Sequence, residues 1–224
     1  MTLCTHHPTF WPTQRAGLAA LALLTGCAMT PPAAVVYDFG PGTMPLPAAP
    51  GTAHAAIAIG PIQAPAALSG TSVLYRLGYA DAQQLQPYAQ ARWSMPPAQL
   101  IGQRLHAHLG QRHILLAPNE HLPAGAADAV LPTLSLRLEL EEFSQLFDAP
   151  GHSSGLLRLR ASLSRRSSAG DTLLGQRSFV LQQPAPSPDA RGGVHALAAA
   201  SDQAIDQIET WLDQLTDTTP NRLR

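Results

Sequence analysis

The sequence predicts an α+β (mixed α/β) fold: a single domain in which a largely antiparallel mixed sheet is covered by two main amphipathic helices. Three observations predict it. Leu134, Leu136, Leu138 and Leu140 alternate with Ser135, Arg137, Glu139 and Glu141, the period of a strand with one buried face. Leu157, Leu159, Ala161 and Leu163 repeat that pattern opposite Arg158, Arg160, Ser162 and Ser164. Leu100, Ile101, Leu105 and Leu109, and later Leu197, Ile205, Ile208, Leu212 and Leu215, recur at helical spacing. A sheet with one leucine face needs a helix layer to keep that face from water.

The first segment, residues 1–26, reads as a secretion signal. Arg15 precedes the apolar run Ala16–Leu24. As a helix that run rises about 14 Å, roughly half of a hydrocarbon core of about 30 Å, so it enters a translocon without spanning a bilayer. Leu24-Thr25-Gly26-Cys27 closes the run and is similar to a lipobox. Apolar Leu24 seats in the membrane, small Thr25 and Gly26 give a peptidase access, and Cys27 supplies the thiol for lipid attachment. The expected mature chain starts at Cys27, carrying a covalent diacylglycerol and an N-acyl chain, palmitate being the expected acyl type.

Residues 27–54 are rich in Pro and Gly and read as a lipidated tether, interrupted by one short strand at Val35–Phe39. At about 3.1 Å per extended residue, the stretch before Val35 lifts the domain some 20 Å from the lipid.

The domain proper is expected over residues 55–217. Ala56–Ile62 and Ser72–Leu77 read as strands with a loop at 65–70 between them. A turn over Tyr79–Gln84 leads into a second extended stretch that reaches Trp93. Pro96 and Pro97 end it and start a helix, because a proline at the first helical position loses no hydrogen bond. That helix runs to Gly110, and His113–Leu116 returns as a short strand closed by Pro118. The two leucine strands form a hairpin around Asp148–Gly151, with Glu and Arg rows facing each other on the solvent side. Ser167–Asp171 turns into a third strand, Leu173–Leu181. After the Pro184–Pro188 loop, Val194–Leu215 forms the last helix, and residues 218–224 form a frayed tail.

Composition narrows the chemistry. Net charge is −1, which gives no electrostatic footprint for nucleic acid. All 14 basic residues are Arg, so a Schiff-base lysine and a P-loop are excluded. Of the two cysteines, Cys4 leaves with the signal and Cys27 is acylated. No thiol then remains for catalysis, metal binding or a disulfide. No cofactor and no metal are expected beyond the lipid on Cys27.

Several constellations invite a functional reading. Gly151-His152-Ser153-Ser154-Gly155 matches G-x-S-x-G, with Asp171 or Asp189 and then His195 downstream. A nucleophile elbow needs a strand before the serine and a helix after it. Here a strand follows, so both glycines are assigned to the hairpin turn and a serine esterase using Ser153 is a remote alternative. His106 and His108 stand two apart on a helix and point away from each other, with no carboxylate at ligand spacing, so with His113 they read as surface or boundary residues. Glu139, Glu141 and Glu142 sit among arginines on a solvated strand face. Asp202, Asp206, Glu209, Asp213 and Asp217 fall on one helical stripe, either a solvated face or a docking surface for a basic partner.

Tyr75, Tyr88 and Trp93 are three of few aromatics, and Arg76 and Arg92 adjoin them. Such pairs either anchor the strand-to-helix corner in the core or serve as contact residues for a partner. The lipobox, Tyr37-Asp38-Phe39, Tyr75-Arg76, and Tyr88 followed by Arg92-Trp93 and Pro96-Pro97 together resemble the ABC-type transport auxiliary lipoprotein family. That is the PqiC-like component of MCE-type intermembrane transport systems. The resemblance covers Tyr37 to Leu215. It implies one αβ domain, no catalysis, and a lipid-anchored position on the periplasmic face of the outer membrane, for which Ala28 after Cys27 is compatible. It also implies a partner, the periplasmic MCE-domain protein of a system that moves phospholipid or related cargo. Homo-oligomerisation is left open, and a periplasm-facing envelope-assembly or envelope-binding lipoprotein is the alternative function.

Overall fold

A computed structural model describes residues 33–41, 55–120, 133–167 and 170–217. The lipobox with Cys27, most of the tether and the 218–224 tail lie outside the described residues. The chain separates into two units, Met1–Ala33 and Ala34–Arg224, and the fold is that of the second. No helix among the described residues is long and apolar enough to cross a membrane.

Among these residues, eight strands form one mixed sheet: β1 (Val35–Tyr37), β2 (Ala56–Ile59), β3 (Ser72–Leu77), β4 (Ala82–Trp93), β5 (Ile114–Leu116), β6 (Thr133–Ala149), β7 (His152–Arg165) and β8 (Thr172–Pro184). Three helices accompany them: the single turn α1 (Gly78–Asp81), α2 (Pro97–Leu109) and α3 (Ala190–Asp217). β6, β7 and β8 make an antiparallel meander. The other edge of β6 is shared. Its first residues pair in parallel with β2, which carries β5 beyond it, and its last residues pair in parallel with β3, which carries β4 and then β1. One 17-residue strand thus serves as the stem of a fork. The short strand expected in the tether belongs to this sheet, since Val36 pairs with Arg92 and Tyr37 with Trp93.

Burial follows the alternation. Leu134, Leu136, Leu138 and Leu140 of β6 and Leu157, Leu159, Ala161 and Leu163 of β7 are all buried, together with Phe179 and Leu181 of β8. α3 crosses this face. It turns Val194, Leu197, Ala200, Ala204, Ile205, Ile208 and Leu212 inward, a stripe at helical period. Trp211 meets the Phe179 ring edge-on at 6.0 Å. Contrary to the assignment of both motif glycines to the turn, only Gly151 belongs there, at φ +80. Gly155 lies within β7 beneath α3, where a Cβ would come within 2.7 Å of the backbone at Ala196 and Leu197.

Asp189 caps α3, accepting the backbone N–H of Gly192 at 2.8 Å and the Ser187 hydroxyl at 2.7 Å. The helix therefore begins at Ala190, four residues before the point at which the apolar stripe starts. α2 starts at Pro97, as the double proline requires, and ends at Leu109 ahead of Gly110.

The acidic stripe of α3 has its basic partner within the chain. Asp202 pairs with Arg104 at 3.5 Å, Glu209 with His108 at 2.7 Å and with Arg112 at 3.2 Å, and Asp213 with Arg112 at 3.3 Å. Asp206 lies 3.8 Å from His108. The stripe therefore faces Arg104 and His108 of α2 and Arg112 just beyond it, while Asp202 and Asp206 keep much of their solvent exposure. The side chain of Asp217 is outside the described residues. Burial pushes the Asp202 carboxyl above its ordinary range, with Arg104 opposing the shift and Asp206 adding to it.

Candidate functional site: an aromatic and amide corner

The features singled out from sequence meet where β3, β4 and the far end of β6 join beside the start of α3. A bulge at Glu141 creates this corner. Leu140 pairs with Leu159 and Glu142 with Arg158, so Glu141 is the extra residue. Beyond it the strand changes phase: Phe143, Gln145 and Phe147 now face the helices, where even-numbered leucines did before.

Tyr75 and Tyr88 stack with ring centroids 4.6 Å apart and planes tilted by 40°. Phe147 closes the pair, meeting Tyr75 edge-on at 6.2 Å. Each tyrosine hydroxyl donates to an amide oxygen, Tyr75 to Gln86 Oε1 and Tyr88 to Gln145 Oε1, both at 2.8 Å. Gln145 is fully buried and its Nε2 donates to Ser153 Oγ at 2.8 Å. The chain Tyr88–Gln145–Ser153 therefore satisfies polar groups that burial would otherwise penalise. Gly193 of α3 sits against this network, and a Cβ there would overlap Gln145 Oε1. Burial pushes the Tyr88 phenol up to about 12, with smaller contributions from Tyr75 and Asp189. It stays neutral and a hydrogen-bond donor at any physiological pH.

Arg76 occupies the other side of β3. Its guanidinium lies 3.0 Å from Glu142 Oε2 and donates to the carbonyls of Ala82 and Gln83, both at 3.2 Å. Ser144 donates to the remaining Glu142 oxygen at 2.8 Å. Arg76 is thereby a brace between the β6 bulge and the α1–β4 turn. Arg92 turns back to the carbonyls of Tyr88 and Ala91 on its own strand.

Trp93 is elsewhere: it is 2% exposed and lies 5.6 Å from both Phe39 and Phe143. Of the two roles left open for it, the structure places the indole in the core, where it offers a partner no surface. The corner thus gathers Tyr75, Arg76 and Tyr88, and adds Gln86, Gln145 and Phe147, which the sequence reading missed, together with Glu142, which is not on the solvated face expected for it but turned to Arg76 with its side chain 14% exposed, because the bulge shifts it out of the Glu139 row. Their signal was present as the switch of large apolar residues from even positions up to Leu140 to odd positions at Phe143 and Phe147. Tyr79 on α1 is the large exposed aromatic nearest in sequence, at 48%.

The serine motif has a different geometry from an elbow. Ser153 is the second residue of β7, with its hydroxyl engaged by Gln145. His152 hydrogen-bonds Asp148 at 2.6 Å across the hairpin tip, and that bond is the main cause holding the Asp148 carboxyl below its usual range. Asp189 is spent on capping α3, and the backbone N–H of Gly192 holds it low as well. Glu139 and Glu141 both pair with Arg160, at 3.0 and 2.6 Å, as the facing rows on the solvent side predict.

Residues 37–209 match the family model described as the ABC-type transport auxiliary lipoprotein component. The chain belongs to that family. Among solved structures, this auxiliary component resembles a Xanthomonas campestris protein of the DUF330 family, with a TM-score of 0.63 and 16% identity over 82% of this chain and 98% of that one. It also resembles an uncharacterized protein with a TM-score of 0.54 and 15% identity over 80% of this chain and 99% of that one. Both likenesses concern the fold alone. No curated protein matches the chain by sequence.

Proposed function

We propose that this auxiliary lipoprotein is held on the periplasmic face of the outer membrane through acylated Cys27. There it docks the periplasmic MCE-domain protein of an ABC-type intermembrane lipid transport system. Family membership over residues 37–209 is the observation that carries the reading. The corner supports it physically. Tyr75, Tyr88 and Arg76 are residue types enriched at interface hot spots, and the buried Gln145 amide orients the Tyr88 ring on which Tyr75 packs. Membrane attachment and docking are separate parts of the proposal, and each has its own test.

Cys27→Ser is expected to release the protein or leave it unprocessed, and unchanged membrane fractionation would overturn the anchor. For docking, Tyr75→Ala is expected to weaken capture of the co-expressed MCE-domain protein about tenfold or more while the circular dichroism melt remains cooperative. Capture at the wild-type level would remove the corner as the docking surface. The role is read as non-enzymatic. Labelling of Ser153 by a fluorophosphonate probe, lost in Ser153→Ala, would overturn that part.

A further inference from the structure

α2 has two unlike flanks. The flank toward α3 carries the contacts of Arg104 with Asp202 and of His108 with Glu209, continued past the helix end by Arg112. The opposite flank faces residues 59–64 across an open groove of about 750 Å³. That volume falls within the ~300–1,000 Å³ typical of small-ligand pockets. Ile59, Ile62 and Ala98 form its buried floor. Gln99 and Gln103 stand at its rim. Among the described residues no Asp, Glu or Arg lines it, and the one titratable side chain there is His106.

Two features restrict the occupant. The first is the backbone. Gln63 already donates to Leu138 O at 2.9 Å and accepts from Leu140 N at 2.7 Å, Pro61 has no N–H, and beyond its first turn α2 uses its amides within the helix. The backbone of Gln63 is therefore turned to β6 and not to the groove. The second is Gly102, in the middle of α2, where glycine is unfavourable for a helix by roughly 0.5–1 kcal/mol relative to Ala. A Cβ there would meet only Ile62 Cδ1, at 4.0 Å, so close packing does not require the glycine. Its effect is to leave the groove wall open.

We infer that this groove seats one acyl chain of a membrane phospholipid. The chain would lie on the Ile59–Ile62 floor, with its ester end near the Gln99 and Gln103 amides and the headgroup in solvent. The inference rests on the lipid-transport reading above and adds to it a site separate from the docking corner.

The test uses the full acylated protein in vesicles of phosphatidylethanolamine and phosphatidylglycerol. The vesicles are doped with a phosphatidylcholine carrying a diazirine in one acyl chain. After illumination, mass spectrometry is expected to find cross-links within residues 59–69 and 96–106. Gly102→Leu, which fills the groove, should reduce them about tenfold or more, and so should Gln99→Glu, which sets a carboxylate at an exposed position where folding is not at stake. Labelling spread evenly over the surface, or unchanged by both variants, would overturn the inference. So would groove labelling obtained with a diazirine free fatty acid but not with the phospholipid. Partner capture is measured in parallel. Absent groove labelling with capture intact defeats the groove alone, whereas lost capture in Tyr75→Ala with labelling intact supports the groove as a separate site.

Discussion

The two halves of β6 run in one strand with opposite chemistry. Before the bulge at Glu141 the inward side chains are leucines, packed on the leucines of β7 and covered by α3. After it they are Phe143, Gln145 and Phe147, and the buried amide of Gln145 is matched on both sides by Tyr88 and Ser153. The first half is held by removal of apolar area from water, which is tolerant of detail. The second is held by paired polar groups, which tolerate one geometry only. A dry sheet thus supports a corner whose tyrosine hydroxyls are each hydrogen-bonded to an amide, and the bulge is the device that allows one strand to do both.

The largest expected effect lies in the dry half. Leu136→Ala should cost about 2–5 kcal/mol in chemical denaturation, since the side chain is buried between two strands and leaves a cavity. A loss under about 1 kcal/mol would show that the half collapses freely and that the contrast with the corner is overstated. Gln145→Ala comes next, at about 1–3 kcal/mol, because it strands the Tyr88 hydroxyl and Ser153 together. Combining it with Tyr88→Phe should cost less than the sum, which a double-mutant cycle would detect. Simple additivity would mean that the network does not act as one unit.

A smaller effect is a matter of pH. The Tyr88 pKa is raised from 10.0 to about 12 in the folded protein. The unfolded chain therefore releases this proton first as pH rises. The stability is fully present below pH 10 and is lost between about 10 and 12. Tyr88→Phe should remove that part of the alkaline decline in a pH series of denaturant midpoints, and an unchanged decline would assign it to other groups. The smallest effect is expected on the solvent face, where Arg160→Ala, despite pairing with two glutamates, should change stability by about 0–1 kcal/mol.

Much of the fold was legible because it is written in neighbouring residues. The leucine alternation located β6 and β7, Pro96-Pro97 located the start of α2, and the apolar stripe located α3. The corner was only half legible. Tyr75, Arg76 and Tyr88 stood out by residue type, whereas Gln145 became a site residue only through a one-residue phase change that an unbroken alternation would place on the opposite face. Trp93 stood out by the same criterion as the tyrosines, and packing put it between Phe39 and Phe143 instead.

By itself, then, the sequence determined the class of fold, the period of the leucine strands and of the two long helices, and the family through short motifs kept in order. Local periodicity and turn chemistry suffice for these, since they act over a few residues. Only the tertiary structure decided that β6 is the stem of a fork, that Gly155 is a floor for α3, and that the acidic stripe of α3 is answered by α2. His108 and Glu209 meet across 101 positions of sequence. Contacts at that separation depend on how whole elements stack, and no window of neighbouring residues contains them.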